Sequence, residues 1–375
     1  MNYRGRVLFV ASNYGHLAAF HIPFMELLKA KRYQIDAAAL DISGRKAEIE
    51  ALGVNCWDIP FARSPYSASN IKAYHLLRRL LRDNYFDLIH VHTPVPAFLT
   101  RFMTRKLRQG PVLYTAHGFH FYRGAALINQ LIYYNAERLA ASWTDGLIVI
   151  NKEDFESGKK LGFEPNETLF HINGVGIDLS ITESIDQTSS IKTELNIPEH
   201  ATVITCIAEL NPNKNHNYLL KAWRQLANKY YDVHLLVVGD GQLEKDLRNM
   251  VKECKIARVH FLGFRQDVPQ ILNETDVVTL VSKREGLPRC LMEAMAFGKP
   301  VVASDIRGSR DLVVNNKNGI LVPLDNISKL VEALEKLIVN VSDREEMGRN
   351  GSQLIEKFSL KRILVDMSKI YERFL

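Results

Sequence analysis

Glu285 and Glu293 stand eight residues apart, separated by a Gly286-Leu287-Pro288 turn and the opening of a short helix. Pro288 suits the first helical position, where its missing N–H costs nothing. Gly298 and Pro300 stop the helix. A helix start offers unpaired backbone N–H groups and the positive end of the dipole, which suits a phosphate. A carboxylate on either side can accept hydrogen bonds from hydroxyls. A diphosphate flanked by hydroxyl-rich rings is a sugar nucleotide, and that is the ligand this arrangement fits. A glycosidase also uses two carboxylates, but across one bond, about 5–9.5 Å apart. Eight helical residues rise about 12 Å, although a turn would shorten or redirect that distance. The spacing therefore favours two carboxylates holding two ends of one ligand. Two solvated glutamates on a surface helix are the plain alternative, which the Gly-Leu-Pro and Gly-Lys-Pro punctuation weakens.

Other residues could join them. Lys214 sits in the polar turn Asn211-Pro-Asn-Lys-Asn-His216, where an ammonium could reach a diphosphate and offset the leaving group's charge; a solvated loop lysine is the alternative. Gly239-Asp-Gly241-Gln-Leu-Glu244 is an incomplete dinucleotide fingerprint, with Glu244 where a third glycine is needed, so NAD and FAD are disfavoured. His117, followed by Gly118, His120 and Tyr122, forms a polar aromatic patch, and His117 could hydrogen-bond a sugar hydroxyl or simply the backbone. Gly15-His16 follows the first apolar run and fits an acceptor or phosphate loop. His90 and His92 face one way on a strand and, with Asp87, suggest a metal, but no third ligand is evident in the sequence. Cys290 lies near the glutamates but has no neighbouring histidine to support a nucleophile.

These residues need elements to position them. Short apolar runs alternate with helical stretches through both halves of the chain: 6–12, 35–40, 87–92, 112–117 and 146–150, then 203–208, 234–239, 259–263, 277–281 and 300–304. Such alternation predicts parallel sheets with helices on both faces, and two series predict two doubly wound domains. The boundary is expected near Asn173–Asp178, followed by a polar stretch at 182–190. The expected domains are 1–175, 176–354 and a helical tail, 355–375. Ligands in such sheets bind at the carboxyl ends of the strands. Lys214, Gly241, Gly263-Phe264, Glu285, His117 and Gly15 all follow strands and are expected to converge on a cleft between the domains.

The 375 residues make two domains a natural prior. No apolar run reaches the roughly 18 residues needed to span a bilayer. The opening apolar run is strand-length and lacks a convincing cleavage site, so it reads as a first strand rather than a signal peptide. Four scattered cysteines (Cys56, Cys206, Cys254, Cys290) make no metal pattern and read as reduced thiols of a cytoplasmic protein. Charge is uneven. Residues 1–150 hold 18 Lys/Arg against 10 Asp/Glu, a net +8, while the remainder balances at −2. The excess lies in Lys72–Arg82 and Arg101–Arg108, which read as basic amphipathic helices able to lie on an anionic membrane surface, or as helices that merely solvate their arginines. No nucleic-acid-binding signature is present.

The Glu285…Glu293 segment, continued by Ala-Met-Ala-Phe-Gly-Lys-Pro-Val-Val-Ala-Ser304, resembles the signature of the family 4 retaining glycosyltransferases. Leu210…Lys214, Val237-Val-Gly-Asp-Gly241, Phe261-Leu-Gly-Phe264 and Thr115-Ala-His-Gly118 support the likeness, which runs nearly the whole chain. The resemblance implies an α/β GT-B fold of two Rossmann-like domains, the first binding acceptor and the second nucleotide sugar, with the final helix crossing back onto the first. It implies retention at the anomeric carbon with no metal and no cofactor. Glu293 would bind the ribose, Glu285 the donor sugar, and the N–H groups near Leu287 and Arg289 the diphosphate, with Gly286, Leu287 and Pro288 forming the donor-binding turn, and Lys214 would neutralise the diphosphate. Gly241 and the Gly263-Phe264 loop would border the donor, and His117 would touch the transferred sugar or acceptor. Gly15, His16, His120 and Tyr122 would face the acceptor.

One departure stands out. Many family members carry an arginine in a Gly-Arg-Leu sequence where this chain reads Ala208-Glu209-Leu210, and Arg289 is the expected replacement for that charge. The wording of these motifs looks most like bacterial capsular and exopolysaccharide enzymes. That suggests a UDP-activated hexosyl or N-acetylhexosaminyl donor, a polyprenyl-diphosphate-linked acceptor, and a cytoplasmic enzyme peripheral to the inner membrane face. A UDP-sugar 2-epimerase of the same architecture and a non-catalytic sugar-nucleotide-binding protein are the alternatives.

Overall fold

The computed structural model describes residues 3–42, 44–122, 124, 126–183, 185 and 190–375; of the polar stretch 182–190, positions 184 and 186–189 lie outside the described residues. The chain forms two compact units, Met1–Gly176 with Lys361–Leu375, and Ile177–Leu360.

The first unit holds seven strands: β1 Gly5–Asn13, β2 Tyr33–Leu40, β3 Asn55–Asp58, β4 Leu88–His92, β5 Val112–Ala116, β6 Gly146–Val149 and β7 Leu169–His171. They lie in the order β3-β2-β1-β4-β5-β6-β7, every pairing parallel. The second unit holds β8 Thr202–Ile207, β9 Val233–Val238, β10 Val259–Gly263, β11 Val277–Leu280, β12 Val301–Ser304 and β13 Gly319–Val322, in the order β10-β9-β8-β11-β12-β13, again all parallel. Both are doubly wound α/β sheets, as the alternating pattern predicted. Helices cover both faces, so the inner strands are apolar along their length: Val7 to Ala11 and Val233 to Val238 are almost wholly buried, His234 included. In each sheet the strand order reverses beside the first strand, between β1 and β4 and between β8 and β11. Those are the switch points where such sheets bind ligands.

The sequence reading missed β3 and β7, both short edge strands. It also read the tail as one helical pattern. Instead, helix Val341–Ile355 passes through a short 3-10 turn, Ser359 is extended at φ −61°, ψ 141°, and a new helix runs Leu360–Phe374. Ser359 bridges Ile177, with Ile177 N–H donating to the Phe358 carbonyl and Leu360 N–H to the Ile177 carbonyl. The last helix buries Ile363, Met367, Ile370 and Tyr371 in the first unit, and its Tyr371 hydroxyl lies 2.9 Å from His90 Nδ1.

The two basic segments differ. Helix Ser69–Asp83 buries Leu77, Leu80 and Leu81 and exposes Arg78, Arg79 and Arg82. In helix Pro94–Leu107, by contrast, Arg101 is 1 % exposed. Its guanidinium donates to Glu137 at 2.8 Å and to the Ala97 carbonyl at 3.1 Å, and lies over the Tyr114 ring. Arg101 is thus an internal ion-pair partner, not part of a basic outer face; Arg105, Lys106 and Arg108 are exposed. Among the described residues no helix is long and apolar enough to cross a membrane.

Candidate active site

In the second unit, the loops leaving β8 and β11 meet at the switch point. Asn211 Oδ1 accepts from the backbone N–H groups of Asn213 and Lys214, a side-chain-stabilised turn that aims the lysine. Asn213 then ties the two loops together: its carbonyl accepts from Lys283 N–H at 2.8 Å, and its side chain donates to the Arg284 carbonyl at 2.9 Å. The result is a short ion pair, Lys214 Nζ to Glu285 Oε1 at 2.6 Å, with the side chains 21 % and 12 % exposed. Burial acts to lower the Lys214 pKa; the Glu285 carboxylate opposes it most strongly, with the Cys290 and Cys206 sulfurs adding to it, and the ammonium sits above its ordinary value.

Helix Arg289–Ala296 begins one residue later than the sequence suggested, with Pro288 at the N-cap rather than the first helical position. Its end follows the glycine expectation. Gly298 has φ +65°, and Lys299 N–H reaches back to the Ala294 carbonyl at 2.9 Å. Glu293 lies one turn into the helix, paired with Arg289 Nε at 2.9 Å. Burial raises the Glu293 carboxyl above its usual range, against the pull of Arg289. Desolvation pushes the Cys290 thiol far above its usual range, which disfavours a thiolate nucleophile. Glu209 is exposed.

The glycine turns pack by close approach. Gly239 (φ +134°) and Gly241 (φ +152°) lie so near the backbone of residues 208–210 that a Cβ on either would strike it. Gly239 N–H donates to the Gly263 carbonyl at 2.8 Å, and Phe264 beside it is 69 % exposed, an open platform for a flat ring. Two residues that the sequence reading missed support Glu285. Arg307, 5 % exposed, directs Nε to the Glu285 carbonyl at 3.4 Å, and Gly308 (φ +81°) abuts the Gly286 carbonyl so closely that no side chain fits. Both follow β12, so the strand-end rule that selected Lys214 and Glu285 would have found them.

In the first unit, a cavity of about 420 Å³ opens at the switch point between β1 and β4. Gly15, His16 and His120 line it as expected, together with Arg63, Thr93 and Tyr133, which the sequence did not single out; Tyr122 is not among its lining residues. Thr93 holds φ +60°, ψ 139°, unusual for a β-branched residue, and its hydroxyl accepts from Ser12 N–H at 3.0 Å. Strain of this kind, about 1–3 kcal/mol, gathers at functional sites. His117 stands edge-on to His16, ring centres 4.8 Å apart. The suspected His90–His92–Asp87 grouping does not form. Asp87 accepts from the Arg6 backbone N–H, and His90 is held by Tyr371 and Thr115. His92 instead joins His16, His21 and His117. Burial keeps these imidazoles neutral, drawing His117 down to about 4, His90 to about 3, and the others well below their usual value.

The sequence profile of the family described as Glycosyl transferases group 1 matches residues 187–354, and that of Glycosyl transferase 4-like matches residues 6–151. EpsD of Bacillus subtilis (strain 168), a provisionally assigned glycosyltransferase, is 30% identical over 378 residues, covering 99% of this chain and 97% of EpsD. An Escherichia coli enzyme, UDP-Gal:alpha-D-GlcNAc-diphosphoundecaprenol alpha-1,3-galactosyltransferase, is 28% identical over 355 residues, 91% of each chain. Among solved structures, Anabaena HepE in complex with UDP-glucose shares the fold, with a TM-score of 0.80 at 20% identity over 98% of this chain and 100% of that one.

Proposed function

The chain belongs to the group 1, family 4-like glycosyltransferases, and from that premise we propose that it transfers a hexosyl or N-acetylhexosaminyl group from a UDP-sugar to a polyprenyl-diphosphate-linked saccharide during capsular or exopolysaccharide synthesis. The observation that carries the donor half is the Lys214–Glu285 pair at the second switch point. A donor diphosphate competes for the ammonium. Once Lys214 turns to the phosphates, Glu285 is released to accept from the donor sugar's hydroxyls, while Glu293 receives the ribose. Gly241, Gly263 and Phe264 border the nucleotide. With Lys214 and the start of helix Arg289–Ala296 neutralising the diphosphate, this site needs no metal. The acceptor hydroxyl attacks the anomeric carbon from the face the diphosphate leaves. The C–O bond to UDP breaks, and the hydroxyl proton passes to a departing phosphate oxygen, with retention. The cavity at the first switch point, lined by Gly15, His16 and His120, receives the acceptor saccharide; the E. coli relative's lipid-linked acceptor supports that class.

A thermal-shift panel of UDP-, GDP- and ADP-sugars with chelator present tests the donor. At a hundredfold excess over Kd, a UDP-sugar is expected to stabilise by about 2.7 kcal/mol and raise Tm by about 5–10 °C. No shift with any nucleotide sugar would reject the reading. A shift that needs added divalent metal would reject metal independence. Conversion of the donor to a new sugar nucleotide without acceptor would favour the 2-epimerase.

The acceptor class calls for work at a membrane surface, and an exposed apolar helix face that the sequence reading overlooked supports it. Helix Leu127–Ala141 exposes Leu127, Ile128, Leu131 and Ile132 at 82 %, 68 %, 64 % and 45 %. We assign this apolar helix, with exposed Arg78, Arg79, Arg82 and Arg105, to the inner membrane face. Insertion contributes about 1.5–3 kcal/mol per large aliphatic side chain, and a basic side chain about 1 kcal/mol against anionic lipid. The double variant Ile128→Ser/Leu131→Ser is expected to lower liposome co-sedimentation about 100-fold. Changing the four arginines to Ser lowers it chiefly at low salt. Wild-type binding by both variants removes the assignment.

A further inference from the structure

Four histidines from distant stretches meet in the first unit. His16 and His21 follow β1, His92 ends β4, and His117 follows β5, and these three strands are neighbours in the sheet. One ring nitrogen from each lies within 4.8 Å of the others. The ring centres of His16, His21 and His117 are 4.8, 5.2 and 5.3 Å apart. A divalent ion about 2.0–2.1 Å from each of three imidazoles in tetrahedral directions sets ring centres about 5 Å apart and nitrogens about 3.3 Å apart. The His16 and His21 Nε2 atoms are 3.4 Å apart. His92 stacks on His21 at 3.7 Å, so one of those two rings tilts if both bind the ion.

The rival account is a core of neutral imidazoles paired with their neighbours. It suits His90, whose nitrogens lie 2.9 Å from the Tyr371 hydroxyl and 2.7 Å from that of Thr115. It also covers the Nε2 atoms of His16 and His21, which are in hydrogen-bond contact, but it leaves four nitrogens of the cluster unpaired. His21 Nδ1, both nitrogens of His92 and His117 Nε2 are buried without a hydrogen-bond partner, and His21 and His92 are 1 % and 0 % exposed. Buried polar atoms are nearly always paired, and leaving one unpaired costs about 1–3 kcal/mol.

We propose that this cluster binds a first-row divalent cation of the zinc class, held by His16, His21 and His117 with His92 as the fourth nitrogen donor. Imidazole donors suit zinc, copper, iron or nickel rather than magnesium or calcium. The four donors are neutral, so the ion keeps its full charge, and an oxygen ligand arriving through the cavity that His16 lines would add as a fifth donor or displace one imidazole. The site belongs to the first unit and stands whether or not the transfer reading holds; the donor diphosphate is left to Lys214 on the second.

The test uses the full chain with any affinity tag removed, stripped with chelator and titrated with Zn²⁺ by calorimetry, and with Co²⁺ as a spectroscopic probe. One equivalent is expected to bind, with the intense visible bands of tetrahedral cobalt. Loss of a supporting partner alone costs a metal site about 10–100-fold in affinity, so His21→Ala and His117→Ala are each expected to lose at least ~100-fold, and the exposed control His75→Ala nothing. Circular dichroism checks folding, and the half-buried His16→Asn replaces any variant that does not fold. Absence of stoichiometric binding by the wild type, or undiminished binding by the folded cluster variants, overturns the proposal.

Discussion

Lys214→Ala is expected to lower kcat by about 10²–10³-fold, the usual loss when a group aimed at developing charge is removed. As the bond to the anomeric carbon breaks, negative charge gathers on the diphosphate, and Lys214 is the cation the β8 loop presents at that edge. The substitution also leaves Glu285, 12 % exposed, without its ammonium. That carboxylate then repels an incoming diphosphate, so donor affinity falls with turnover. A second substitution separates the two effects. In Lys214→Ala/Glu285→Gln the repulsion is gone and donor binding recovers relative to the single variant, while kcat stays low. Such non-additivity marks residues that share one interaction. Arg289→Ala provides the comparison. Its side chain is 45 % exposed and bound to Glu293, so it is expected to weaken donor binding about tenfold, within the range for a charged hydrogen bond. Unchanged affinity and turnover in Arg289→Ala, with both lost in Lys214→Ala, would show that Arg289 does not supply the charge missing at Glu209. The buried Arg307 would then be the guanidinium to test. Equal turnover in Lys214→Ala and wild type would reject the donor site as drawn.

The parts of the site that were legible in sequence are those carried by one strand end at a time. Lys214, Gly241, Gly263 and Glu285 each follow a continuous apolar run, and the rule that ligands gather at strand carboxyl ends needs nothing else. The histidine cluster breaks that pattern. His16, His21, His92 and His117 are brought together only by the adjacency of β1, β4 and β5, which no local pattern records. His90 and His92 share one strand face, as expected, but their partners depend on tertiary neighbours: the tail's Tyr371 for one and His21, which caps the helix after β1, for the other. The overlooked strands fail for a related reason. β3 reads Asn-Cys-Trp-Asp and is largely exposed, and β7 is three residues long; edge strands lack the apolar run that marks a buried one. Arg101 shows the limit most sharply. An amphipathic pattern says which residues share a helix face, not what stands opposite, and here it is Glu137.

That pairing carries the second large effect. Removing one partner of a buried ion pair strands the other charge in a low-dielectric interior, typically at a cost of about 3–5 kcal/mol. Arg101 has little escape. It is 1 % exposed, lies over Tyr114, and already leaves Nη2 without a partner. Glu137→Ala is therefore expected to lower the first unit's Tm by about 6–20 °C, taking about 2–4 °C per kcal/mol for a unit of this size. Arg101→Met/Glu137→Leu, which replaces the pair with apolar bulk, is expected to fall much nearer wild type. A single variant within about 1 kcal/mol of wild type would show that the pair is not effectively buried. The consequence reaches function through the helix involved. Glu137 is the inward anchor of helix Leu127–Ala141, whose outer face shows Ile128 and Leu131. A helix that is apolar outside gains nothing from water on that side, so its inward contacts must hold it in register. Glu137→Ala should thus loosen this helix before the sheet, with hydrogen exchange rising first in residues 127–141. Liposome binding should weaken as well, although no membrane-facing side chain has changed.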